Sequence, residues 1–444
     1  MAKMKLVLVQ SSCGSPELVP LNDPLQTVDV ELDPDNALER VRAYFDERWS
    51  AQVHALRWIF PRDCLLPAKD DAPFLVLYVD DPGRLIASSS NHIQDNPAAR
   101  GVCSTMSCPD SGPILLAATR PSRSEPWSDP LWMKETSEWI CSTFGRHKVQ
   151  RISQVRSSMN GAVLRIDTPD CGYFMKTAPA RVSFERPLLQ WLHQNLPGAC
   201  PPVLDVCPDN QTHITRAAEG LPLRLIHDPG QWIAAFQRVA EYQYRSVSYV
   251  TEMKSLGVPC QNLGEFSASL EQCLSQLIDL QMGVSGELTR RELDRIPALI
   301  TKAQQDTQVL GDCGIPEGLV HGDLNESNLF CSADGTTSLI DWTFSRIEHP
   351  FFALGFSLFA AADPGHRMHS ISSELRQAYA GPWRRYAGSH TLLAGLDSAS
   401  RLFWIDTAQT IGSLVLEIRD ELPGAAAHLP AVLRRSLSAF GLSA

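Results

Sequence analysis

The sequence predicts an α+β chain in which a small β-rich lobe is followed by a larger helical lobe, with a separate small α/β or α+β domain ahead of both. Three observations lead to this. Between residues 149 and 176 three strand-like runs lie close together, beyond Asp228 a helical apolar pattern dominates, and the first 125 residues have a texture of their own, with short apolar runs set between turn-rich stretches. At 444 residues the chain is long enough for two or three domains, and 44% hydrophobic with 20% charged residues is ordinary globular composition.

The predicted divisions are 1–125, 126–218 and 219–444. In the first, Leu6 to Val9 and Phe74 to Val79 read as strands and Pro113 to Ala118 as a weaker one. Asp35 to Trp49 reads as a helix, because Leu38, Val41, Tyr44 and Phe45 fall on one face. Ala87 to Gly112 is loop-like, and Pro121 to Pro130 has the composition of a linker. Cys103 and Cys108, with His92 upstream, lack the second close pair that a structural zinc site needs. The twelve cysteines are scattered, and no apolar run is long enough for an export signal or a membrane span. A cytoplasmic protein with reduced thiols, not acting at a membrane, is expected. A net charge of -11 argues against nucleic acid as a partner, and no feature sets the oligomeric state.

In the second division, Trp132, Thr136, Trp139, Ile140 and Phe144 mark an amphipathic helix. Strands are expected at Val149 to Val155, Ala162 to Ile166 and Tyr173 to Lys176, then a helix from Ser183 to Gln194 and short strands near Val203 and Ile214. The third division is helical apart from one compact β feature at 328–341.

That feature carries the chemistry. His321 to Ser327 is a polar loop leaving the apolar pair Leu319 and Val320. Asn328 to Cys331 and Thr337 to Ile340 read as strands joined at Asp334-Gly335, the dipeptide of a two-residue type I′ hairpin. A hairpin centred there sets Asn328 opposite Asp341, with Cα atoms roughly 4.5–5.5 Å apart. An amide oxygen beside a carboxylate is a hard-oxygen pair suited to Mg²⁺, which keeps positions for water and phosphate. Asp323, on the loop before them, is placed to orient a hydroxyl and accept its proton.

The ordered set of His321-x-Asp323, Asn328 five residues later and then Asp341 on a strand resembles the catalytic core of the aminoglycoside phosphotransferase and choline kinase group, relatives of the protein kinases. The resemblance extends over about residues 150–440. It implies a protein-kinase-like two-lobed fold, ATP and Mg²⁺ as cofactors, and transfer of the γ-phosphate to a hydroxyl of a small molecule, an antibiotic or a metabolite. By the same resemblance Asp323 is the catalytic aspartate, Asn328 and Asp341 hold the metal, and His321 braces the loop. Lys176 resembles the lysine that grips the α- and β-phosphates, and Glu185, nine residues on, the glutamate that holds it. Ser157, Ser158, Asn160 and Gly161 fall where the nucleotide-covering turn belongs, and Thr212 to Gly220 where the hinge belongs. His349-Pro350-Phe-Phe-Ala-Leu354 departs from the group in one respect: Ala353 stands where an aspartate is frequent. Only eight residues separate Asp341 from Pro350, too few for the activation segment of a protein kinase. The acidic residues of the last third read as solvated helix faces. The remaining rival is a nucleotide-binding pseudokinase-type regulator that uses the N-terminal domain for partner binding, and the retained Lys176, Asp323, Asn328 and Asp341 weigh against it.

Overall fold

The computed structural model describes five strands between residues 3 and 79 together with Val41, and then residues 126–443 except 130, 159, 205–210, 355–364 and 419–422. The helix expected at 35–49 (Val41 apart), the loop at 87–112 and the strand at 113–118 lie outside the described residues, as does the first half of the expected linker. Contacts divide the chain into two compact units, Met1–Arg181 with Leu204–Ala217, and Val182–Val203 with Ala218–Ala444.

The first unit holds two sheets. One is built from β1 (Lys3–Ser12), β2 (Ser15–Leu18), β3 (Leu25–Asp29), β4 (Val53–Ile59) and β5 (Phe74–Val79). It is mixed: β1 pairs in parallel with β5 and antiparallel with β2 and β3, while β4 runs antiparallel to β5. The second follows the helix α1 (Trp132–Phe144) and comprises β6 (Arg151–Ser158), β7 (Gly161–Asp167), β8 (Gly172–Thr177) and β10 (Thr212–Arg216), with the two-residue β9 (Val203–Leu204) at its edge.

Strand alternation explains how this sheet packs. Leu164, Met175 and Ile214 form one cross-strand row and are fully buried with Ile166, Met133 and Ile140, so α1 covers that face. The adjacent row, Arg156, Val163, Lys176 and His213, belongs to the opposite face. Trp127 lies in a short 3-10 turn, Pro126–Ser128, where a polar linker is expected from the sequence. Its indole is 1% exposed and donates to the Ser158 carbonyl at 3.1 Å, so this stretch is anchored.

The second unit is mainly helical. Its helices are α2 (Glu185–Asn195), α3 (Pro229–Ser246), α4 (Val250–Ser255), α5 (Leu263–Gln281), α6 (Arg290–Leu293), α7 (Ile296–Gly311), α8 (Ser372–Ala380), α9 (Ser389–Ile418) and α10 (Leu429–Ala439). One apolar core joins them, with Trp232, Phe236, Phe266, Phe351, Tyr379 and Trp383 fully enclosed. Two small sheets sit on this core: β11 (Leu221–Pro222) with β13 (Leu329–Cys331) and β14 (Thr337–Leu339), and β12 (Gly318–Val320) with β15 (Arg346–Glu348). The buried face of α3 holds both: Ser246 Oγ accepts from Leu319 N at 2.8 Å, and Tyr242 donates to the Thr337 carbonyl at 2.9 Å.

The β13–β14 hairpin differs from the expected register. Leu329 pairs with Leu339 and Cys331 with Thr337, so Asn328 falls opposite Ile340, whose N–H it receives at 3.0 Å. Asp341 lies one residue farther on. The cause is the turn. Gly335 N donates to the Ser332 carbonyl and Ser332 N to Thr336 O, which leaves three loop residues, with Gly335 left-handed at φ 83°. Such a three-residue loop with a terminal left-handed glycine competes with the two-residue type I′ turn. Here Asp334 tips the choice, because its carboxylate accepts from the Ser332 hydroxyl and from Thr336 N.

Candidate active site

The loop 321–328 connects β12 to β13 and is held at each step by a side chain. His321 Nε2 bonds the Ile340 carbonyl at 2.9 Å, while Nδ1 accepts from Asp323 N at 3.3 Å. These partners assign the neutral tautomer with the proton on Nε2. The ring is 3% exposed and packs 4.7 Å from Trp342. Gly322 follows with φ 77°, and a Cβ there would come within 2.0 Å of the Phe344 carbonyl, so only glycine fits.

Asp323 is gripped by two amides. Asn325 Nδ2 donates to Oδ1 at 3.1 Å, and Asn328 Nδ2 donates to Oδ2 at 3.0 Å and to the Asp323 carbonyl at 2.9 Å. Asn325 Oδ1 in turn accepts from Ser327 N and Asn328 N, closing a small network. Because Asn328 turns its NH₂ to Asp323, its amide oxygen is directed to the other side. The network fixes the orientation of the Asp323 carboxylate, and a carboxylate so held is able to accept a proton or orient a hydroxyl.

Asp341 follows β14 and is the only non-glycine residue with positive φ among the described residues, at φ 64° and ψ 66°. That conformation, and not a cross-strand pairing, turns the chain out of the hairpin at the metal-ligand candidate. Asp341 Oδ1 accepts from the Thr343 hydroxyl at 2.6 Å. The same hydroxyl lies 3.4 Å from Glu185 Oε2, and Glu185, in the first turn of α2, is 1% exposed. Asn328 and Asp341 supply hard oxygen atoms, a donor set that fits Mg²⁺ completed by phosphate and water. No group of three His, Cys, Asp or Glu side chains that could hold a metal occurs among the described residues.

Beneath the loop, Val320 pairs with Arg346, and Arg346 serves two buried carboxyls, Glu348 at 2.9 Å and Asp406. Burial pushes Glu348 up to about 8, with Arg346 opposing the rise and Asp406 adding to it. Burial also raises Asp406 and lowers the enclosed His349 to about 3. Ala353 is buried and lines a small apolar cavity with Tyr242, Gln243 and His321.

In the first unit, Ser157 pairs with Ala162 and Ser158 with Gly161 across the hairpin. Of the residues expected in the nucleotide-covering turn, Ser157, Ser158 and Gly161 are therefore in strands and Asn160 is in the turn. Ser158 Oγ accepts from Asn160 N at 3.3 Å, and Asn160 Oδ1 accepts from Arg181 at 2.9 Å. Lys176 lies on the sheet face away from α1, between Val163 and His213. Ser157 is 2% exposed and shares the opposite row with Ala162 and Thr177, so it is not brought to the face of Lys176. Asn325 and Thr343 went unnoticed in the sequence. The Asn325 signal was its position two residues after Asp323, from which an amide can fold back; for Thr343 no signal stood out.

A family model described as the phosphotransferase enzyme family, APH, matches residues 151–397. No curated protein sequence matches. The chain is similar in structure to the macrolide 2'-phosphotransferase MphH from Brachybacterium faecium, at 15% identity and a TM-score of 0.47, covering 67% of this chain and 98% of that one. It is similar to the ethanolamine kinase of Plasmodium vivax at 11% identity and 0.47, with 69% and 88% covered. For a thermostable mutant of the aminoglycoside phosphotransferase APH(4)-Ia in complex with ADP and hygromycin B, the values are 16% and 0.43, with 67% and 97% covered. No helix among the described residues is long and apolar enough to cross a membrane.

Proposed function

The chain belongs to the phosphotransferase enzyme family, with its protein-kinase-like α+β fold, and on that premise we propose that it moves the γ-phosphate of ATP, with Mg²⁺, to a hydroxyl of a small molecule. The observation that carries the reading is the Asp323 carboxylate held by the amides of Asn325 and Asn328, one residue in register from the carboxylate-bearing turn at Asp341.

In this mechanism Asp323 orients the acceptor hydroxyl and takes its proton as the new O–P bond forms and the bond to the β-phosphate oxygen breaks, releasing ADP. Asn328 and Asp341 would hold the metal, and Thr343 fixes one oxygen of Asp341. The metal, when bound, neutralises charge on the transferred group. Lys176 binds the α- and β-phosphates and Glu185 orients Lys176, while Ser158, Asn160 and Gly161 cover the nucleotide with Ser157 as their support. His321 keeps the loop in shape. Few residues are needed, because phosphoryl transfer is catalysed mainly by positioning and charge. Residues 1–125 form an accessory domain, 126–218 the nucleotide lobe and 219–444 the catalytic and acceptor lobe.

A coupled ADP-release screen over hydroxylated metabolites and antibiotics tests the reading, with Asp323→Asn as the blank. Turnover that requires an acceptor and Mg²⁺ and is lost in the blank is the expected result. Slow ATP hydrolysis equal in both proteins would instead leave a nucleotide-binding regulator.

A further inference from the structure

Between Asp323 and Asn328 one side chain of the loop is engaged elsewhere. Glu326 Oε1 accepts from His366 Nε2 at 2.7 Å and Oε2 from Arg367 at 3.1 Å. Its backbone carbonyl accepts from Arg224 N at 3.0 Å. The same Arg367 nitrogen donates to the Leu223 carbonyl at 3.1 Å, and its guanidinium lies 5.2 Å from the Trp232 ring centre. His366 meets that ring edge-on at 5.9 Å. His366 Nδ1 accepts from Met368 N at 3.1 Å, so in the neutral ring Nε2 carries the proton and faces Glu326. Two stretches of chain, at 223–224 and 366–368, thus converge on Glu326, the first on its backbone carbonyl and the second on its carboxylate.

An exposed ion pair contributes little. This one is different in construction: the three side chains are only 18–30% exposed, each carboxylate oxygen has its own donor, and backbone bonds hold both flanks. We propose that Glu326 is a positioning residue, clamped by His366 and Arg367, that sets the loop conformation in which Asp323 acts. The path is short. Asn325 Oδ1 accepts from the two backbone N–H groups that follow Glu326, and the amides of Asn325 and Asn328 hold Asp323. A shift at residue 326 therefore moves both amides. The stretch 366–368, distant in sequence, becomes part of the support of the site.

The inference rests on the reading of Asp323 as the catalytic group, so two readouts are needed. In steady-state kinetics with an acceptor from the screen, Glu326→Ala lowers kcat about tenfold to a hundredfold, the size expected for a misplaced reacting group, with little change in nucleotide KM. Arg367→Ala lowers kcat in the same way, and the double variant is no worse than Glu326→Ala alone, because both break one clamp. Hydrogen exchange at the Ser327 and Asn328 amides, which needs no turnover, is faster in Glu326→Ala while the thermal midpoint stays within a few degrees of the parent. Unchanged exchange overturns the clamp, as do kcat losses that multiply in the double variant. If the parent protein turns over no faster than Asp323→Asn, the functional reading fails by itself and the exchange result still decides the clamp.

Discussion

The 321–328 loop and the β6–β7 hairpin solve the same problem, holding a short turn still, by different means. In the loop, side chains do the holding: His321 to a carbonyl, Asn325 and Asn328 to Asp323, Glu326 to His366 and Arg367. In the hairpin, backbone pairing runs to the tip, and Gly161 lies so close to the Thr177 carbonyl that a Cβ would sit 2.4 Å from it. A turn held mainly by side chains depends on their chemistry, and a turn held mainly by backbone pairing depends, as at Gly161, on room for close approach. Each makes its own prediction.

The largest effect is expected from an isosteric change in the loop. Asp323→Asn removes the proposed proton acceptor and, depending on how the new amide turns, sets an NH₂ against the amide of Asn325 or of Asn328. Activity should fall by about 10²–10⁴-fold, with the melting temperature nearly unchanged. Asn328→Asp should be as damaging, because it sets a carboxylate where an amide donates to Asp323 and leaves two like charges facing. ADP-release assays and thermal melts on the same preparations would measure both. Substantial activity in either variant would mean that the loop is not organised by side-chain identity.

This contrast also explains what could be read from the sequence. His321, Asp323, Asn328 and Asp341 are recognisable because side-chain chemistry forces their types and spacing. The strands around Leu164, Met175 and Ile214 are legible because alternation is set by which face is buried. The hairpin register differs by one residue from the expected one, since two competing turn geometries both accept Asp-Gly, and the deciding bonds come from Asp334 to its neighbours. Pairing between Asn328 and Asp341 was therefore the wrong reason for expecting them together. The left-handed backbone at Asp341 is not legible from residue type, because aspartate tolerates that conformation yet adopts it at few of its positions. The buried Trp127 was hidden by its polar, proline-rich surroundings.

The next effects separate the two kinds of turn. Gly161→Ala should destabilise the protein by about 1–3 kcal/mol in denaturant titrations, since φ is 134° and the new methyl group meets backbone. Nucleotide KM should rise more than kcat falls. A smaller loss, about tenfold in kcat, is expected for Thr343→Val, which removes the hydroxyl bonded to Asp341. The Mg²⁺ requirement should rise with it, and Thr343→Ser should restore both. Mn²⁺ affinity followed by magnetic resonance would separate a metal defect from a general one. If Thr343→Ser were as poor as Thr343→Val, packing of the methyl group would matter instead of the bond.

The smallest effect on turnover concerns what lies under the loop, is read in stability instead, and has no described counterpart under the hairpin. Burial lowers His349 from 6.5 to about 3, so the unfolded chain takes up the proton first as the solution is acidified. Stability from this group is present above pH 6.5 and lost as pH falls toward 3. Burial raises Glu348 from 4.5 to about 8, so the folded state is the better proton binder. Its contribution is complete below pH 4.5 and lost as pH rises toward 8. Between 4.5 and 6.5 the two slopes oppose each other, which gives a flat top with a fall on either side. Each limb can reach at most about 1.4 kcal/mol per pH unit. Glu348→Gln should flatten the alkaline limb and leave the acid limb in place, as read from thermal midpoints across pH. An alkaline limb that survives that change would assign it to another group, with Asp406, raised by the same burial beside Arg346, the first to examine.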